Sequence, residues 1–244
     1  MMRYKTDRFL RILLIVLAVY GFATSALVFV LNWPNPIGRA VLCMAWGLIL
    51  LWCIGVGLVS MVFKKHIRRF VGPIPIRWPV KFVLFCTGMA LLEEAVTVTM
   101  TNLAPVFGVE VGQAYITASA NYLDVVCLHS VVVFVPMFIC WAVLLRKIDY
   151  SPLEVMFLFG LTGTLAEMSM AGLQALASVG FWMFVYGLMV YLPAYCLPER
   201  AGTRRPRWWH YPVAVFLPFM FVIPFAGAVH FLHPIKIHFP PITS

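Results

Sequence analysis

The chain reads as an all-α, polytopic membrane bundle of about seven transmembrane helices, a single integral membrane domain over residues 1–244, and three observations predict it. Apolar runs near the roughly 20 residues that cross a hydrocarbon core recur along its length. Its composition is 63% hydrophobic and 11% charged with mean hydropathy +0.94, far outside the range of soluble domains. No segment shows the polar/apolar alternation of a barrel strand, and lipid offers no partner to an unpaired N–H or C=O, so the runs must be helices.

Span one, Phe9–Leu31, follows a basic start and passes small residues at Ala23-Thr24-Ser25; its length marks a retained signal anchor rather than a cleaved peptide. Asn32-Trp33-Pro34-Asn35-Pro36 makes a short turn with an interfacial Trp. Span two, Ala40–Phe63, carries Gly47, Gly55, Gly57 and Ser60, small residues that let helices approach. The basic loop Lys64–Lys81 suits a lipid surface, and its Phe70–Pro79 portion holds too many prolines for a helix. Span three is Phe82–Leu103. The segment Ala104–Leu123 that follows is small and polar, either a re-entrant or interfacial cap or an ordinary solvated loop. Spans four to seven are Asp124–Leu145, Leu153–Leu173, Val179–Leu197 and Tyr211–Leu232, the last rich in proline and anchored by Trp208-Trp209-His210-Tyr211.

The connections alternate in charge. Of the 18 Lys and Arg, all but Arg39 and Lys236 fall on the side of the N-terminus, and the positive-inside rule makes that side cytoplasmic and the C-terminus external. The net charge of +9 is therefore a topology signal with an attraction to anionic lipid headgroups, not a nucleic-acid footprint. Multi-pass residence in the cell (inner) membrane is expected. A rhodopsin would run in the opposite orientation and would need a lysine in the last span, which has none. The six cysteines form no CxxC and read as small apolar residues.

Charge inside the membrane is costly, about 2.5–3.5 kcal/mol for an acid at mid-helix on insertion scales, and marks a functional site by default. Span three holds Glu93 and Glu94 side by side, with Glu94, Thr97 and Thr101 at i, i+3 and i+7 on one polar face. Span four adds His129 beyond Asp124, and span five adds Glu167 beside Gly160 and Gly163. Counted at about 1.5 Å per residue, Glu93, Glu94, His129 and Glu167 lie at comparable depth and are expected to share one catalytic site. His230 and His233, three apart where span seven ends, with His238 beyond, supply imidazoles that suit a divalent metal such as zinc. The metal-ligand candidates are thus Glu94, His129, Glu167, His230 and His233.

On Glu93-Glu94 and His129 the chain resembles the CPBP family (CAAX-processing and bacteriocin-processing intramembrane proteases), whose members carry EExxxR on one helix, FxxxH on the next and a later HxxxN or HxxxD. Val98 and Val125 stand where that pattern has Arg and Phe, and Pro234 follows His230 where it has Asn or Asp. The resemblance implies peptide hydrolysis within the bilayer. Three readings stay open. One is a metal- or glutamate-dependent intramembrane hydrolase acting on a hydrophobic or membrane-embedded substrate, with Glu94 as base and Glu93 as orienter or second ligand. The others are a proton- or cation-coupled transporter and a structural subunit of a membrane complex.

Overall fold

The computed structural model describes residues 2–200, 202–233 and 237–239; Lys236, one of the two basic residues assigned to the far side, lies outside them. Among the described residues the chain is helical, with three isolated bridges and no strand. The long helices are α1 (Met2–Leu31), α2 (Pro36–Leu48) continuing through a wide π-type stretch Ile49–Val56 into α3 (Gly57–Val71), and α4 (Trp78–Asn102). They are followed by α5 (Tyr122–Leu128), α6 (Val131–Lys147), α7 (Pro152–Ala171), α8 (Val179–Tyr195) and α9 (His210–Leu232). Among the described residues six helices are long and apolar enough to cross a membrane, or up to seven crossings if the bent pair α5 and α6 counts as one.

Helix α1 runs unbroken through Ala23–Ser25. Asn35 caps α2 by accepting from the N–H groups of Ile37 and Gly38, and Pro36 takes the first helical position, where no donor is needed. The loop between α3 and α4 is shorter than the prolines suggest, because Pro79 falls in the first turn of α4 and costs that helix nothing.

The core lies between α4, α6, α7 and α8, where Trp52, Phe82, Phe138, Trp141, Phe159 and Met189 are sealed from solvent. Glycine brings α7 and α8 together: a Cβ on Gly160 would stand 2.6 Å from the Met183 carbonyl, and one on Gly187 would stand 2.9 Å from the Met156 carbonyl. The π-type stretch turns Trp52 inward so that its Nε1 donates to Val185 O at 3.0 Å.

Polar contacts close the basic end. Arg200 donates to Leu145 O at 2.7 Å and Asp149 Oδ1 at 2.9 Å, and Ser151, in a capping box with Glu154, donates to Asp7 Oδ1 at 2.7 Å. Tyr211 Oη donates to Glu154 Oε1 and Tyr150 Oη to His210 O, both at 2.8 Å.

At the opposite end, segment 103–121 is a packed cap rather than a solvated loop. It folds through a 3-10 turn at Ala104–Phe107, buries Ala104, Val109 and Ala114 against Ala40 and Met44 of α2, and is tied to α4 where Thr101 Oγ1 accepts from Ile116 N.

Candidate metal centre and buried carboxylates

The cap ends at Asn121, whose side chain accepts from the N–H groups of Leu123 and Asp124 and so starts α5. That helix lasts seven residues, and His129 leaves helical geometry at φ −127°, ψ −62°. Ser130 begins a new direction and α6 departs at 44°. Pro136 within α6 has no N–H to return to the turn before it. The expected single span Asp124–Leu145 is therefore a broken pair. The break matters chemically, since on a straight helix positions five apart, Asp124 and His129, would diverge by about 140°.

Instead they meet: His129 Nε2 is 3.6 Å from Asp124 Oδ2, and His233 Nε2 is 3.6 Å from Asp124 Oδ1. His233 arrives because α9 ends there, at φ −144°, ψ 75°. His238 packs its ring 4.2 Å from that of His233 and 6.0 Å from that of His129 while its N–H donates to Ala118 O at 2.8 Å, which lays the tail along the cap. One ligand atom from each of Asp124, His129 and His233 lies within 4.8 Å of the others.

Four buried atoms here, Asp124 Oδ2 and the Nε2 of His129, His233 and His238, have no hydrogen-bond partner. A buried polar group left unsatisfied costs about 1–3 kcal/mol, and the three that converge, on Asp124, His129 and His233, suit an occupant. The donor set suits a divalent ion of the zinc type. Ligands about 2.1 Å from a tetrahedral ion stand about 3.4 Å apart, close to the 3.6 Å separations seen. An Asp124–His129 contact also fits a carboxylate that orients a ligating imidazole.

The acids form a neighbouring cluster deeper in the bundle. Glu93 and Glu94 are 4% and 6% exposed. Thr97 Oγ1 donates to Glu94 Oε2 at 3.1 Å, and Tyr186 Oη donates to Glu167 Oε1. Glu93 lies within electrostatic reach of both other acids. Among the described residues no Lys or Arg forms an ion pair with any of the three, so protons, hydrogen bonds or a bound cation must balance them. Ser130, the residue after His129, donates through its Oγ to Val125 O at 3.3 Å at the break between α5 and α6.

The structure thus brings Glu93, Glu94 and Glu167 together and places His129 and His233 together in the other cluster. No described set of three ligand atoms combines Glu94 or Glu167 with His129. His230 is exposed beside Phe231, outside both clusters. Sequence reasoning did not assign ligation to Asp124 or His238, nor any role to Tyr186. Asp124 carried a signal, as an acid at the mouth of an apolar run; Tyr186 carried none, since nothing local separates it from a packing residue.

Comparison of the chain with protein-family profiles, curated protein sequences and solved structures finds no match.

Proposed function

We propose that this membrane-embedded bundle is a metal-dependent intramembrane hydrolase of the peptidase type, working on a hydrophobic, membrane-embedded substrate. The observation that carries the reading is the convergence of Asp124, His129 and His233, whose ligand atoms lie within 4.8 Å of one another with no hydrogen-bond partner for Asp124 Oδ2 or either Nε2, in a bundle that also buries Glu93 and Glu94. Asp124, His129 and His233 would hold the ion, with His238 packed beside them, and a zinc-type ion bound there would supply Lewis acidity toward water and a carbonyl oxygen. Glu94, as carboxylate, accepts the proton of the attacking water; the water oxygen bonds the carbonyl carbon, the C–N bond breaks, and the proton on Glu94 passes to the leaving nitrogen. Thr97 keeps the Glu94 carboxylate aimed during that transfer, while Tyr186 holds Glu167 aside. The same reaction class is the one implied by the paired-glutamate resemblance.

A second reading, a proton- or cation-coupled transporter, is favoured by one observation: three carboxylates without a counter-charge lie inward of a cluster of cation ligands. One experiment separates the two. Purified, zinc-supplemented protein in vesicles is incubated with host membrane proteins in water enriched in oxygen-18, and the products are read by mass spectrometry. The hydrolase places the heavy oxygen in new carboxyl groups, chelation abolishes this, and Glu94→Gln abolishes it while retaining the metal. Absence of label, together with a chelator-insensitive proton flux that Glu94→Gln removes, transfers the assignment to the transporter.

A further inference from the structure

At the basic end, away from both clusters, a cavity of about 390 Å³ opens between the last turn of α3, the start of α4 and the end of α8. Arg68 and Lys81 line it together with Ile74, Ile76, Trp78 and Phe85. A second groove of about 350 Å³ shares Arg68 and adds Lys65, Arg69 and Tyr195. No Asp or Glu lines either among the described residues, so four cations face the two grooves without an acidic partner in their walls.

The cations are not equivalent. Lys81 donates to the carbonyls of Val71 and Gly72, both at 2.9 Å, which pins the turn that forms the lip of the cavity. Arg68 is exposed, with its guanidinium 5.9 Å from the Tyr195 ring centroid. Beside these charges stand exposed apolar side chains: Phe70 at 79%, Ile76 at 41% and Ile74 at 37%. A small hydrophilic anion would satisfy the charges and leave that apolar surface in water; an amphiphile covers both.

The geometry points to a binding site for an anionic phospholipid, its phosphate among Arg68, Arg69 and Lys65 and its acyl chains running past Ile74, Ile76 and Phe85. Basic pockets at the ends of spanning helices, where apolar walls meet cations, have the chemistry that such headgroups require, and each nearby Lys or Arg contributes about fivefold to their retention.

The test is native mass spectrometry of the full chain in detergent, titrated with phosphatidylglycerol or phosphatidylcholine of matched chains. Wild type is expected to hold phosphatidylglycerol and release phosphatidylcholine. Arg68→Gln should weaken retention about fivefold, and Ile76→Glu, which puts a carboxylate on the exposed lip, should weaken it further. Arg11→Gln, exposed on α1 and outside both grooves, should change nothing. Both groove variants are surface changes and should keep the wild-type melting temperature. Equal retention of the two lipids, an unaltered Arg68→Gln, or an equal loss in Arg11→Gln overturns the site in favour of diffuse surface charge. Full displacement of the lipid by millimolar inorganic phosphate overturns it in favour of a soluble anion.

Discussion

Asp124 presents its two carboxylate oxygens to two imidazoles, each at 3.6 Å, too long for a good hydrogen bond and suited to an ion between them. Titrating zinc into metal-free protein should therefore raise the melting temperature, by an amount equivalent to about 2.7 kcal/mol when zinc stands at 100 times its dissociation constant. Asp124→Asn and His233→Ala should remove that rise, while the exposed His230→Ala keeps it in full. Zinc-induced stabilisation that survives in Asp124→Asn would refute the centre. Tyr150, in the connection before α7, titrates upward from the usual tyrosine range because it is buried, with Glu154 and Tyr211 adding to the effect. A folded-state value above the unfolded one leaves its contribution intact below about pH 10 and removes it as pH climbs, since only the unfolded chain then gains by ionising. Tyr150→Phe should cost about 1 kcal/mol at neutral pH through the lost bond to His210 O. Its melting temperature should then fall less than that of wild type between pH 9 and 11.

Helices α7 and α8 depend on glycine for their contact, and the consequences differ from one position to the next. A Cβ on Gly160 meets a backbone carbonyl, which cannot step aside, so Gly160→Ala should destabilise by about 1–3 kcal/mol in a denaturation series. Gly163→Ala instead drives a methyl to 2.1 Å from Cδ2 of Tyr186, so the ring that holds Glu167 must shift. That variant should lose function as far as Glu167→Gln does, and wild-type activity in it would detach Tyr186 from the site. Gly88 on α4 has open space where its Cβ would be; Gly88→Ala should be neutral or gain up to about 1 kcal/mol. The glycines beside Glu167 were readable as close-packing positions, but which neighbour each one admits was not, because the partner lies on another helix. The α5–α6 break was equally hidden: the run Asp124–Leu145 is long and mostly apolar enough to read as one span, and its bend is set by the cap and α9 around it as much as by Pro136.

Taken together, the helices segregate charge along the bundle. The start of α1, the junction of α3 with α4, the end of α6 and the connection after α8 carry 16 of the 18 Lys and Arg, and the cap, Asp124 and the histidine cluster occupy the other end. With α5 and α6 as one broken crossing, the described helices offer seven candidate crossings, an odd number, so the chain's two ends are expected on opposite sides. An alkaline phosphatase fusion after Ser244 should be active outside the cell and one after Lys147 inactive; activity after Lys147 would reverse the orientation and put the basic end outside.

Membrane residence, helical class and the approximate spans were legible in the residues alone, because hydrocarbon imposes length and polarity limits that act locally along the chain. Glu93 and Glu94 stood out for the same reason: a charge in an apolar run is anomalous wherever the helix packs. The composition of the centres was decided only by the fold. Asp124 and His129 meet through a helix break, and His233 and His238 reach them from more than 100 positions away. Tyr186 finds Glu167 across a glycine-lined helix contact. Such meetings depend on which helices are neighbours and where each one bends, and those are properties of the packed bundle that no stretch of sequence carries.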